Sequence, residues 1–264
     1  MIHTLLEEHV FTRLRWVYPP QAGPIAISMS HDEHMIRDPS KPETRTHCIR
    51  CGECCLRSSP TLQAEDLHLV EKGFLKKRDL VTFRKGEFVN DPVQEVIGPA
   101  VNDYVKIKEK AEIGCIFYDG AAKACTIYHD RPLQCRALTC WDTRKIMDVL
   151  GRPKLRRQDV VHHEVLLGLM EEHEKRCSYA AIEDHVHRIS REGNKAVERL
   201  LGLLKFDYHL RPFVSDKLHI PLDEMDFYFG RPLVDTIRSY GLQVLREPDG
   251  SFFLTKIRKN GVLE

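Results

Sequence analysis

The chain has 264 residues and carries 40 Lys and Arg against 39 Asp and Glu, a formal charge of +1. That length can bury a sizeable core, and the near-balance of charge removes any global pull towards nucleic acid or an anionic membrane. No run approaches the roughly 18 apolar residues of a membrane span, and the start, MIHTLLEEHV, lacks the basic-then-apolar order of a signal peptide. The expectation is a soluble, cytoplasmic protein. Nine cysteines, an odd number without a secretion signal, argue against an extracellular disulfide scaffold; a reducing compartment keeps thiols available for metal.

In chain order, VFTRLRWVYPPQAGPIAISMS reads as one or two strands interrupted by Pro19, Pro20 and Pro24, and the polar stretch holding His31, Asp32, Glu33 and His34 reads as a solvated loop. Then comes His47-Cys48-Ile49-Arg50-Cys51-Gly52-Glu53-Cys54-Cys55, four thiols in eight residues. Ser59-Pro60 predicts a helix start, with the serine capping and the helix running through TLQAEDLHLVEKG. FRKGEFV predicts a turn between short strands, and VNDYVKIKEK alternates with period two.

A second cysteine group follows in GCIFYDGAAKACTIYHDRPLQCRALTC: Cys115, Cys125, Cys135 and Cys140. Ile113, Cys115 and Phe117 recur at period two, Asp119-Gly120 supplies a turn, and residues 124–128 return as an extended segment. Arg131-Pro132 redirects the chain so that Cys135 faces back. Residues 142–150 and 159–176 predict helices, the second capped by Asp159 and turning Val161, Val165, Leu166, Leu169 and Met170 inward. SYAAIEDHVHRIS and NKAVERLLGLLKF continue the helical section with Gly193 at the junction, and LQVL and SFFLTKI form a terminal hairpin. The fold class is mixed α/β: a loop- and strand-rich metal domain over 1–150, then a mainly helical region over 151–264 that ends in the hairpin and offers a substrate or partner surface.

Borderline and soft metals select thiolates, and a turn at Gly52 can aim neighbouring sulfurs at one ion or cluster. Cys48, Cys51 and Cys54 have the Cys-x2-Cys-x2-Cys spacing of a cubane iron–sulfur loop. Cys55 complicates it, because consecutive side chains diverge by about 100° on a helix and point oppositely on a strand. Eight thiolates match two four-cysteine centres: two [4Fe–4S] clusters, two tetrahedral zinc ions, or one of each. Arg50, Arg57, Arg131 and Arg136 stand near these cysteines in sequence as compensating charge. His47 and His129 offer hydrogen bonds or a substitute ligand, Tyr128 and Trp141 a shield from water. Cys177, alone in the helical section, reads as a small buried apolar residue; His162, His163, His185 and His187 read as helix surface. There is no dinucleotide fingerprint, phosphate loop, zinc-protease motif or esterase elbow.

CIRCGECC and the downstream group resemble a cysteine-cluster family known as a zinc- or iron-chelating domain. In that family the second group commonly runs Cys-Pro-Phe-Leu, Cys-x-Ile-Tyr, Arg-Pro and Cys-Arg. Here Ile116-Phe117-Tyr118 follows Cys115, whereas Cys125-Thr126-Ile127-Tyr128, Arg131-Pro132 and Cys135-Arg136 fit. The resemblance covers about residues 47–142 and implies Cys48, Cys51, Cys54, Cys55, Cys115, Cys125, Cys135 and Cys140 as metal ligands. Some flagellin lysine-N-methylases carry a similar cluster, which implies methyl transfer from S-adenosylmethionine as an alternative activity. The leading expectation is an iron–sulfur protein serving electron transfer or a redox reaction with a redox or protein partner; a zinc-stapled interaction module is the structural alternative. Oligomeric state has no sequence signal.

Overall fold

The computed structural model describes residues 48–91, 96–110 and 114–257. The strands expected before residue 47, the His31 to His34 stretch, His47 and Ile113 lie outside them.

A strand-rich region comes first. Strand β1 (Leu80–Phe83) is followed by β2 (Phe88–Asp91), β3 (Val96–Pro99) and β4 (Tyr104–Ile107). β1 pairs antiparallel with β4, Leu80 opposite Ile107, and β2 pairs with β3. The segment after the first cysteines runs along the other edge of β4: Leu62 N–H donates to Val105 O, Val105 N–H to Leu155 O, and Leu155 N–H to Leu62 O, each at 2.9 Å. All three side chains are fully buried. Their backbones have no water to turn to, so they satisfy one another.

Helix α1 (Glu53–Arg57) and helix α2 (Leu67–Glu71) flank that segment. The helix expected to start at Ser59-Pro60 does not form there. Ser59 instead donates its hydroxyl to Ile107 O at 2.5 Å, so tertiary pairing with β4 outcompetes local capping. Four two-residue strands follow: β5 (Glu109–Lys110), β6 (Gly114–Cys115), β7 (Tyr118–Asp119) and β8 (Ala124–Cys125). Then come helices α3 (Leu133–Ala137), α4 (Arg144–Leu150), α5 (Arg157–Val160), α6 (Glu164–Arg176), α7 (Tyr179–Glu192), α8 (Asn194–Leu218), α9 (Met225–Phe229) and α10 (Leu233–Thr236), and a hairpin of β9 (Leu242–Arg246) and β10 (Phe252–Lys256). The helix expected over 159–176 is divided: His163, not Asp159, caps α6, accepting from Leu166 N–H. Val165 is exposed rather than inward.

Two apolar clusters hold the fold. One gathers Leu62, Leu80, Val105, Ile107 and Cys115 with Leu166, Met170, Phe227 and Phe229, so it draws on residues from both sides of residue 150. The other packs Ile182, Val186 and Ile189 of α7 against Ala196, Leu200 and Leu204 of α8, with Leu233 and Leu242. These are helical spacings, as an amphipathic face requires. Cys177 is fully buried and its thiol points to Leu203 O; burial pushes it up to about 12, as an inert core thiol.

Between the strand region and the long helices lies a buried charge network absent from the sequence reading. Arg84 donates to Glu174 and to Cys177 O, both at 3.1 Å, and lies over the Tyr179 ring. Arg157 donates to Tyr228 O at 2.7 Å and pairs with Glu174 and Asp103. Asp207 receives His173 Nε2 at 2.8 Å, Arg211 Nη2 at 2.9 Å and Leu233 N–H at 2.8 Å. Burial works against the Asp207 charge, yet the His173 bond and the Arg211 charge outweigh it and hold the carboxyl at about 2. Its contribution to stability is therefore present above the ordinary 3.8 and lost as pH falls towards about 2.

Burial, with the charges of Arg84 and Arg211, holds His173 below the ordinary 6.5 against the pull of Asp207. On acidification through 6.5 the unfolded chain takes a proton that the folded chain refuses, so stability falls. His173→Gln keeps an N–H for Asp207 and is expected to shrink the loss of unfolding free energy between about pH 7 and about pH 5. An unchanged loss in urea titrations contradicts a buried neutral imidazole.

Candidate metal centre

The first cysteine stretch is a tight loop leading into a short helix. Arg50 stands at φ 58° and Gly52 at φ 86°, left-handed conformations that fold the loop back on itself. Arg50 N–H points at Cys48 Sγ, 3.4 Å away, the kind of donor that stabilises a thiolate. Gly52 then leads into α1, which carries Cys54 and Cys55. Consecutive cysteines were expected to aim apart, but their sulfurs stand 3.9 Å from each other. With metal–sulfur bonds of about 2.3 Å, two thiolates on one tetrahedral ion are about 3.8 Å apart, so this spacing fits a shared metal atom. The hydrogen bond between the two sulfurs lowers the Cys54 thiol and raises that of Cys55.

Close approaches of backbone bring the second stretch against the first. β5 pairs with β6, Glu109 opposite Cys115, and β6 lies on α1. Gly114 sits at φ 84°, where a Cβ would lie 2.6 Å from Leu56 O and closer still to Cys55 O. A Cβ at Gly52 would overlap the hydroxyl of Tyr118, whose backbone pairs with Cys125 between β7 and β8. Only glycine fits either point, for lack of a Cβ.

Cys135 is brought in by α3. Asp66, fully buried, accepts Leu133 N–H at 2.8 Å on one oxygen and Gln63 N–H at 2.9 Å on the other. Gln134 Oε1 accepts Thr61 N–H at 2.9 Å. Asp66 thus caps α3 from a distant segment, and Arg131-Pro132 turns the chain into that cap. Burial raises its carboxyl against these donors. Asp66→Ala strands two N–H groups, each costing about 1–3 kcal/mol when buried and unpaired. The expected result is a lower melting temperature together with weaker metal retention, read by thermal unfolding and elemental analysis.

The thiols lie within one another's electrostatic reach. Burial pushes up Cys115, Cys125 and Cys135. Charge on Cys54, Cys135 and Cys115 pushes up Cys55, and charge on Cys54 and Cys48 pushes up Cys125. Charge on Cys115, Cys125 and Cys54 does the same to Cys135. Arg131 opposes this at Cys54, Cys125 and Cys135. Cys51, Cys54 and Cys140 are exposed. No disulfide joins any of the nine cysteines. Among the described residues no three His, Cys, Asp or Glu side chains close around a common point as a metal-ligand set; the sulfurs gather without forming a shell.

Of the four arginines expected near the centre, Arg131 and Arg50 both lie over the Tyr128 ring. Arg57 and Arg136 are exposed, and the charge of Arg136 acts on Asp66. His129 is exposed, edge-on to Tyr128, and Trp141 is half-buried. The donor chemistry suits zinc or iron: soft thiolates, a pair at the spacing of one ion, and an adjacent cation. Sequence reasoning missed Asp66 and Gly114. Gly114 beside a cysteine was the available signal; Asp66 fell inside the helix expected through TLQAEDLHLVEKG, where nothing marked it as a cap for a distant segment.

Residues 47–154 match the CxxCxxCC family model, described as a "putative zinc- or iron-chelating domain". The chain is also 39% identical, over 95 residues, to an uncharacterized protein, MJ0661, of Methanocaldococcus jannaschii. That match covers 34% of this chain and 42% of the relative, so it spans less than half of the relative's length. No solved structure matches the chain. Residues 47–154 are thus similar to the CxxCxxCC family, whose model describes a zinc- or iron-chelating domain.

Proposed function

We propose that the chain is an iron–sulfur protein that supports electron transfer or a redox reaction. The observation that carries this reading is the number of thiols in mutual reach. α1 with Cys54 and Cys55 lies on β6 with Cys115, and Gly52 meets Tyr118, whose backbone pairs with Cys125; with Cys48 and Cys135 in the same two stretches these are more sulfurs than one four-coordinate structural ion takes. With the exposed Cys51 and Cys140 of the same stretches the total is eight, the ligand count of two [4Fe–4S] clusters. Such a centre supplies reversible one-electron storage. The chain's own residues hold it by thiolate, offset its negative charge with Arg131, donate to sulfur from Arg50 N–H, and exclude water around buried Cys115. The exposed cysteines leave an edge open to a redox partner. Material purified without oxygen is expected to be brown, to contain iron and acid-labile sulfide in matching amounts, and to change its spectrum reversibly on reduction.

A second reading is a zinc-stapled module, favoured by the 3.9 Å between Cys54 and Cys55. A cubane takes one cysteine per iron, whereas a tetrahedral zinc takes several on one atom. Stoichiometric zinc with no iron or sulfide in the same oxygen-free material overturns the iron–sulfur reading and leaves this one.

A further inference from the structure

Tyr128, within the second cysteine stretch, sits in a setting that neither metal reading by itself requires. The guanidinium carbon of Arg131 is 3.7 Å from the ring centroid and that of Arg50 is 4.4 Å. Arg131 Nε also donates to Tyr128 O at 2.7 Å. Two cations are thus held over one ring, and they come from different stretches: Arg50 from the CIRCG loop, Arg131 from the segment leading into α3. Like charges repel, so the ring's negative face is what makes their approach tolerable.

Each arginine is also tied to a cysteine-bearing segment. Arg131 stands at the turn into α3, which carries Cys135. Arg50, in its left-handed conformation, gives its N–H to Cys48 Sγ. A left-handed non-glycine residue persists only where its surroundings hold it, and the stack on Tyr128 is such a hold.

We infer that Tyr128 is the positioning residue of the metal centre, a clamp whose ring holds Arg50 and Arg131 and so ties the first cysteine loop to the second stretch. The inference rests on the proposal that these thiolates bind metal, and it is independent of which metal they bind. The hydroxyl of Tyr128 is not part of the clamp; the ring face is. Lysine in place of Arg131 loses the Nε bond and the planar stack while keeping the charge.

Cobalt(II), whose thiolate complexes absorb visible light, is the probe. It is titrated without oxygen into the full-length, metal-stripped chain and into Tyr128→Phe, Tyr128→Leu, Arg131→Lys and Arg131→Gln. The expected result is cobalt affinity within about twofold of the parent for Tyr128→Phe, and about 10–100-fold weaker for Tyr128→Leu and Arg131→Gln, the usual effect of losing a residue that orients ligands. Arg131→Lys falls between. The thiolate-to-cobalt band shifts in Arg131→Gln while the unfolding midpoint of the stripped chain stays at the parent value, which a merely structural role would not produce. Should Tyr128→Leu fail to fold, the two Arg131 variants decide. Parent-like affinity in Tyr128→Leu and Arg131→Gln, or a loss in Tyr128→Phe as large as in Tyr128→Leu, overturns the clamp. No cobalt binding by the parent chain overturns metal binding itself and the clamp with it.

Discussion

Gly114→Ala is expected to abolish stoichiometric metal binding, while Gly120→Ala, in the same cysteine stretch, leaves it intact. At Gly114 the new Cβ meets two backbone oxygens of α1, with Leu56 O at 2.6 Å, and φ is 84°. The left-handed conformation alone costs a non-glycine residue about 1–3 kcal/mol, and backbone cannot swing aside as a flexible side chain can. Relief requires β6 to withdraw from α1, which carries Cys115 away from Cys54 and Cys55. At Gly120 a Cβ meets nothing within 4 Å. Gly52→Ala acts in the same direction as Gly114→Ala, since its Cβ runs into Tyr118, whose Cε2 is 2.9 Å away. Elemental analysis of the purified variants reads the result directly; full metal content in Gly114→Ala contradicts the close packing of the two stretches.

Asp207→Ala should be the most destabilising single change in the helical half. Asp207 is fully buried and takes donors from α6, from its own helix and from the start of α10. Removing one partner of a buried pair leaves the other charge uncompensated, at a cost of about 3–5 kcal/mol. Arg211 keeps Gly230 O and Asp226 as partners, while His173 and Leu233 N–H lose theirs. Urea unfolding measures the loss. Asp142→Ala is the contrast: its partner Arg144 is almost wholly exposed, and exposed pairs contribute little. Equal midpoints for the two variants would remove the network from any account of what holds α6, α8 and α10 together.

The parts of the fold that the sequence reveals are those whose local pattern agrees with tertiary demand. α7 places Ile182, Val186 and Ile189 on one face, Gly193 breaks the chain at φ 56°, and the β9–β10 hairpin turns over Pro248 and Asp249, with Gly250 N–H donating to Glu247 O. The reading goes astray where a long-range partner replaces a local one. Ser59 caps no helix because β4 offers Ile107 O. α8 extends through FDYHLRPF, with Pro212 inside it, because its buried face changes from Leu200 and Leu204 to Asp207 and Arg211, which no hydrophobic period records. At the site the cysteines announce themselves by composition. Their convergence depends on Gly114, Gly52 and Asp66, whose roles appear only once the backbones they touch are known. The divergence expected of Cys54 and Cys55 assumed fixed directions from Cα; rotation about χ1 on α1 brings their sulfurs to 3.9 Å.

The central claim is that the two cysteine stretches share one centre. Anomalous scattering at the iron and zinc absorption edges, from crystals of the full chain grown without oxygen, tests it most directly. The account predicts metal peaks in the space between Cys54 and Cys55 on one side and Cys115, Cys125 and Cys135 on the other, each metal or cluster bonded to sulfurs of both stretches. Peaks bonded within a single stretch, with the other cysteines joined as disulfides, would contradict it.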